Sequence, residues 1–462
     1  MKKLAIIAIS SLSICCHSQN LENVGTIRPK TIAFPGAEGF GKFAKGARGF
    51  VKPGVYIVNN LNDNGKGSFR EAVSQPGRFV VFSVTGIINL KSPITVAQNT
   101  TIAGQTAPGK GIVLYGQKVS FSGSNDTIAR YIKIRLGNKN KPSNNTDASG
   151  ISNGKNIILD HLSISWSMDE VFSINWDKRG TEPDSITLQN SIIAQGLHLY
   201  NHSAGGLIQT NGSISIIKSL YASNKTRNPK VKGKNEFVNN IIYNFGNLGN
   251  KNGHTVSGDG YIMGGSTQTS EVNIINNYFI EGPLNTENRT TPFSRGTKTF
   301  HLFESGNYFD NNRNGILDGQ LVPHNSNGFP GETPVVFMDS PFYYPYSKTD
   351  LSASQAFDYV VKNAGASFPN RDDVDDLIIS EVKSLGKKGL YVFTENDLPL
   401  SNNGLGDFPK AETLKDSDSD GIPDSFEIEM GLNPNDSKDA LKFNKKEKQY
   451  LNIEVFINNL VK

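Results

Sequence analysis

Two groups of charged residues carry the chemistry this sequence offers. The first lies between Asp147 and Lys234. Its first half collects the carboxylates Asp147, Asp160, Asp169 and Glu170; its second half collects the cations Lys218, Lys225, Arg227, Lys230, Lys232 and Lys234. Clustered carboxylates suit a hard cation, and a basic run beside them suits an anionic polymer. The second group is DSDSDGIPDSFE, where Asp416, Asp418 and Asp420 alternate, Gly421 permits a sharp turn, and Asp424 and Glu427 follow. Oxygen ligands at alternate positions around a glycine turn are what calcium takes, although Glu427 completes such a loop only if a turn through Pro423 is accepted. This segment reads as a calcium-stabilised structural loop, with a solvated acidic linker as the plain alternative.

Short apolar runs must position these residues. Within the central stretch they begin at Ile157, Ile186, Ile214 and Phe237, an irregular spacing of 23 to 29 residues. Each is strand-like in length and composition, and a period of that size predicts a solenoid or a propeller. Strands stacked in register would bring the acidic and basic clusters to face each other across a groove. Composition agrees: 46 glycines in 462 residues, 36% apolar and 19% charged residues describe many short strands and turns rather than a large helical core. A formal net charge of +4 is too slight to point to nucleic acid.

The opening MKKLAIIAISSLSICCHSQN has a Lys-Lys start, an apolar run and then small residues, the pattern of an export signal. Cleavage after Ser18 would remove both cysteines, Cys15 and Cys16, and leave a secreted chain without a disulfide. The alternative is acylation at one of them and a lipid anchor in the outer membrane. Residues 31–50 form a glycine-rich, extended lead-in, and Ser68 caps a short helix. Asn190, Asn240, Asn277 and Asn307 recur at similar places, as an amide ladder along stacked coils requires or as ordinary turn residues do. Residues 352–366 and 372–386 have helical apolar spacing, with Ser352 and Asp372 as caps, and these helices pack on the solenoid or close its end.

The segments FVVFSVTGIINL, TIAGQTAPGKGI, ARYIKIRLG, NIILDHLSISWSMDE and TRNPKVK resemble the pectate lyases of polysaccharide lyase family 1, in particular the bacterial parallel β-helix type. The resemblance covers roughly residues 31 to 310, and the C-terminal acidic segment is similar to a calcium-loop appendage found on such enzymes. It implies an all-β fold: a right-handed parallel β-helix with short helices and a small C-terminal calcium-loop extension. The expected divisions are a signal at 1–18, the lyase domain at 31–335, a helical or irregular region at 336–410, and the calcium-loop extension at 411–462.

The same resemblance implies a calcium-dependent β-elimination that cuts polygalacturonate. It carries calcium ligation to Asp147, thirteen residues before Asp160 of the Asp-His pair, to Asp169, and to Glu170; Asp160 itself is structural. Arg227 of Arg-Asn-Pro is the expected base. Lys232 stands where the family usually has arginine, Asn145 where it often has an acid, and His202 where it has a lysine. Lys225, Lys232 and His202 are the expected substrate-binding residues. Asp416, Asp418, Asp420, Asp424 and Glu427 are the expected second calcium set. The expected partner is an acidic polysaccharide handled by a monomer. Another uronate polymer, alginate or methylated pectin, is the alternative substrate, and a non-catalytic polysaccharide-binding β-helix is the alternative class.

Overall fold

Strands of three to six residues cannot bury a face alone, so they stack. The computed structural model describes residues 31–246, 258–264, 268–285, 289–346 and 351–462; the expected export signal, with Cys15 and Cys16, lies outside the described residues. Residues 32–462 form one compact unit. Within it the strands fall into three parallel stacks, here sheets A, B and C. Sheet A runs from Gly54–Val58 through Arg78–Phe82, Lys155–Asp160 and Asp184–Gln189 to Ser270–Ile275 and Phe300–Ser305. Sheet B runs from Gly86–Asn89 through Ser163–Ser165 and Ile241–Tyr243 to Tyr308–Asp310. Sheet C comprises Ile94–Thr95, Val119–Ser120, Ser149–Ile151 and Phe172–Asn175, then Tyr261–Met263 and Phe293–Ser294. Two long strands, Leu207–Ile217 and Lys230–Val238, serve both: their first halves pair in sheet C and their second halves in sheet A. The result is a parallel β-helix.

Register fills the interior with columns of like residues. Leu159, Leu188, Ile216, Phe237 and Ile274 stand in line through sheet A, all buried. The outward residues between them, Thr187, Ser215, Glu236 and Asn273, are buried as well, because that face of sheet A is covered. The glycine-rich lead-in crosses it: Gly41 N donates to Thr187 Oγ1 at 2.8 Å and Phe40 N to Ser215 Oγ at 2.9 Å. The approach is so close that a Cβ on Gly41 would lie 2.3 Å from the Ile157 carbonyl oxygen. At the first coils, Phe79, Val81 and Ala103 are covered by Ile422, Ile453 and Phe456 of the C-terminal extension.

The amide ladder exists, with one member displaced. Asn307 Oδ1 accepts from the Asn277 side chain at 2.9 Å, and Asn277 Oδ1 from Asn240 N at 2.8 Å. Asn240 Oδ1 then accepts Ser219 N, Ser219 Oγ accepts Ser191 N, and Ser191 Oγ accepts Leu162 N. Each member is the residue just before a sheet B strand. Asn190 stands one position too early and instead donates to Asp160 Oδ1 at 2.9 Å. Replacing Asn277 by alanine leaves the buried Asn240 N–H without its acceptor. It is expected to cost about 1–3 kcal/mol, read as a lowered midpoint of denaturant unfolding.

The expected helices form where their caps predict. In α1 (Phe69–Ala72) Ser68 accepts from Glu71 N; α2 (Ala353–Asn363) has a Ser352 capping box; α3 (Asp373–Lys383) is capped by Asp372. Of these, α2 and α3 lie along sheet B, while α1 packs against Gly54–Val58 of sheet A. Asp372 also binds Arg135 of that sheet at 2.6 Å, and Asp375 binds the same guanidinium at 2.9 Å, so the helix start is pinned by a buried ion pair. Two further helices, α4 (Asp424–Met430) and α5 (Asn452–Asn459), belong to the C-terminal extension.

Candidate active site

Sheet C is the stack whose strands follow the turns that carry the acidic and basic residues. Its outward positions run Thr95, Ser120, Gly150 and Ser173 in register, and further along Leu207, Lys230, Ile262 and Ser294. Small side chains, the aliphatic Leu207 and Ile262, and a lysine there leave a shallow floor suited to an extended ligand. The charged residues sit in the turns that enter these strands. Asp147 lies two residues before Ser149, Glu170 two before Phe172, and Arg227 three before Lys230. Glu170, Ala204 and Thr226 pair as successive rungs, which places Arg227 one residue past that line.

Asp147, Asp169 and Glu170 each bring a carboxylate oxygen within 4.8 Å of the others. Each has a basic side chain beside it: Lys118 Nζ lies 3.1 Å from Asp147 Oδ2, His202 Nδ1 lies 2.6 Å from Asp169 Oδ1, and Arg227 pairs with Glu170. Burial pushes the Asp147 carboxyl up, and Lys118 opposes the shift. Burial also lowers the Arg227 guanidinium. Hard oxygen donors converging from adjacent rungs fit a cation such as calcium. Three carboxylates are fewer ligands than that ion takes, which leaves places for water and for a ligand's own carboxylate. Lys230 and Lys232 follow Arg227 on the next strand, with no side-chain partner among the described residues; burial and the neighbouring cations Lys232, Arg227 and Arg295 lower Lys230.

At 47% identity over 430 residues, 93% of this chain and 94% of the relative, the sequence matches a protein named probable pectate lyase C from Aspergillus flavus. The chain belongs to the pectate lyase family. A second relative of that name, from Aspergillus terreus, is 43% identical over 455 residues, 98% of each chain, so the C-terminal extension lies within the length that pectate lyase shares. No protein-family model matches. A solved pectate lyase bound to a hexasaccharide superposes with a TM-score of 0.50 at 13% identity, covering 71% of this chain and 96% of that one, a likeness of fold.

Several expected residues fall elsewhere than the sequence suggests. The acidic and basic clusters do not oppose each other across a groove; they follow one another along one edge, because successive coils enter at Asp147, Glu170, Ala204 and Thr226-Arg227. Asp160 is on another edge, fully buried between Arg130 at 2.8 Å, His161, Gln189 and Asn190, as a structural residue. Lys218 pairs with Glu38 at 3.0 Å, away from the pectate lyase site. Lys225 is 1% exposed and its ammonium is spent on the Asn201 carbonyl and side chain, so it holds the loop that carries His202 rather than meeting substrate. His202 itself is 37% exposed at the site. Sequence reasoning missed Lys118, whose signal is its place one coil before Asp147. It also missed Asp259 and Arg295, which have no motif.

The C-terminal acids form a second convergence. Asp416, Asp418 and Asp420 make one group, and Asp420, Glu427 and Asp439 another that shares Asp420. Backbone takes both oxygens of Asp416, from Asp420 N at 3.3 Å and Gly421 N at 3.0 Å, and one oxygen each of Asp418 and Asp420, from Asp420 N at 3.3 Å and Ile422 N at 2.9 Å. The remaining oxygens are buried without hydrogen-bond partners: Asp418 Oδ2, Asp420 Oδ2, both of Glu427, and Asp439 Oδ1. Unpaired buried carboxylates at this density fit a bound cation. Asp424 is not among them. It stands at the start of α4 and binds Lys415 Nζ at 2.8 Å and Ser417 N at 2.7 Å; Asp439 takes its expected place.

Proposed function

We propose that the protein cleaves polygalacturonate by calcium-assisted β-elimination on the outward face of sheet C. The observation that carries this reading is the convergence of Asp147, Asp169 and Glu170 within 4.8 Å beside Arg227. Bound by these carboxylates, calcium would supply a bridge to a uronate carboxylate and so acidify the proton on the adjoining ring carbon. Arg227 then takes that proton in its neutral form, which burial favours over the guanidinium, an assignment inherited from the Arg-Asn-Pro motif. The glycosidic oxygen on the next carbon leaves with the bonding electrons, and a carbon–carbon double bond forms at the new end. No water is consumed, unlike two-carboxylate hydrolysis. Lys230 and Lys232 hold substrate carboxylates along the floor, and His202 orients Asp169.

The second set, Asp416, Asp418, Asp420, Glu427 and Asp439, holds a structural calcium ion in the same reading. The export-signal pattern supports a secreted place of work, extracellular or periplasmic, and the enzyme acts as a monomer. The deciding experiment follows the ultraviolet absorbance of the unsaturated product with polygalacturonate, with calcium and with chelator. A calcium-dependent rise supports the reading. A rise on alginate or methylated pectin alone moves the substrate, and no rise on any uronate polymer leaves a binding module.

Removing one ligand charge tests the catalytic ion. Asp169→Asn is expected to raise the calcium concentration for half-maximal activity by about tenfold or more, because a hard cation site is tuned by its ligand charges. Unchanged calcium dependence would exclude Asp169 as a ligand.

A further inference from the structure

The cations on this open face extend beyond those the sequence singles out. Arg295 follows the strand Phe293–Ser294, whose Ser294 shares the outward column with Ile262 and Lys230. Its guanidinium donates to Asp259 Oδ2 at 3.0 Å. Asp259 is 4% exposed, and its carboxylate also accepts Thr226 Oγ1 at 3.0 Å and Ser294 Oγ at 2.9 Å. Thr226 is the residue before Arg227. A single buried carboxylate therefore fixes Arg295 to the turn that carries Arg227.

That anchor uses only part of the guanidinium. The Arg295 side chain is 54% exposed, and among the described residues Asp259 is its one partner. Its positive charge acts on both Arg227 and Lys230. Like charges held together on an open surface repel one another, and an anion placed among them relieves that repulsion. A guanidinium tied at one edge keeps further N–H donors in a rigid fork, the geometry that takes a carboxylate in a bidentate pair. Arg295 enters two strand spacings beyond the Arg227 turn, about 10 Å along the stack. Entering that much further along the stack, Arg295 is placed to address a sugar other than the one at Arg227.

We propose that Arg295 is a substrate-binding residue that grips the free carboxylate of a uronate displaced from the cleaved bond, with Asp259 as its positioning residue. The inference rests on the lyase reading for the identity of the polymer. Because a methyl ester cannot accept the charged fork in the same way, Arg295 also biases the site toward non-esterified chains.

The test compares wild type, Arg295→Ala and Arg295→Lys on polygalacturonate and on highly methyl-esterified pectin at saturating calcium. Arg295→Ala is expected to raise KM on polygalacturonate about tenfold with kcat within about threefold, and to leave KM on the esterified polymer nearly unchanged. Arg295→Lys keeps the charge and the Asp259 pair but loses the fork, so a partial rise in KM there is not a folding defect. Equal KM for all three on polygalacturonate would overturn the proposal. Calorimetric binding of an oligogalacturonate, compared between Arg227→Ala and the Arg227→Ala, Arg295→Ala double variant, reads the same contact without turnover. If wild type cleaves no uronate polymer, the lyase reading falls, and this binding comparison still decides Arg295: weaker binding in the double variant upholds it, equal binding removes it.

Discussion

Arg227→Ala is expected to lower kcat/KM on polygalacturonate by about a thousandfold or more, the scale of losing a proton-transfer group together with a charge beside the reacting atoms. The fold is expected to survive, since Arg227 lies in a turn and its side chain is part-exposed. Calcium binding supplies the sign that separates this role from a structural one. Arg227 pairs with Glu170 and lies 3.9 Å from Asp169, so its charge competes with any cation held by those carboxylates. Its removal is expected to leave calcium affinity equal or tighter while product formation stops. A variant that keeps a tenth of the activity would sink Arg227 as the base; one that loses calcium would mean that it only organises the ligands. Arg227→Lys restores a charge without the planar fork and is expected to recover little.

The second large effect concerns Glu427. It is fully buried, and in the metal-free protein burial, then Asp420, Asp418 and Asp439, push its carboxyl up to about 8; Asp420 is pushed up to about 6. An unfolded glutamate titrates near 4.3. Between those values the folded state holds more protons than the unfolded one, so metal-free stability falls as pH rises from about 4 through about 8. Calcium bound at this set would reverse the penalty by pairing the ionised carboxylates. At a hundredfold excess over its dissociation constant it adds about 2.7 kcal/mol. Thermal unfolding in chelator is therefore expected to show a higher Tm at pH 5.5 than at pH 8. Calcium is expected to raise Tm at pH 8 and to flatten the difference. Glu427→Gln removes the buried charge: its Tm in chelator at pH 8 is expected to exceed that of the parent, and its gain on adding calcium to shrink. A calcium gain as large as the parent's would show that the ion sits only at the Asp147 set. The increment reports the hold of the extension on the first coils, since Ile422, between Asp420 and Glu427, packs with Phe79 and Val81.

How much of this was legible in the sequence depended on how local the signal was. Helix starts were readable because a cap acts within one turn: Ser68, Ser352 and Asp372 each bond the backbone three residues on. The carboxylate set was readable because Asp147 and the Asp169-Glu170 pair belong to one motif, and their convergence requires only that neighbouring coils pair. The C-terminal loop was readable at Asp416, Asp418 and Asp420, which converge from alternate positions. Beyond the loop it was not, since the choice of Asp439 over Asp424 depends on where α4 turns the chain.

By itself, then, the sequence determined a stacked all-β chain, its caps, and the charged motif of a lyase. Only the tertiary structure decided which charges share an edge. The reason is uneven coil length: Ile186 pairs with Ile214, yet Asn235 pairs with Val272, so spacing along the chain does not predict which residues meet. An offset of one residue put Ser191 rather than Asn190 in the ladder. Packing of the 198–203 loop buried Lys225, and stacking brought Lys118, Asp259 and Arg295 to Asp147 and Arg227 from coils that no motif connects.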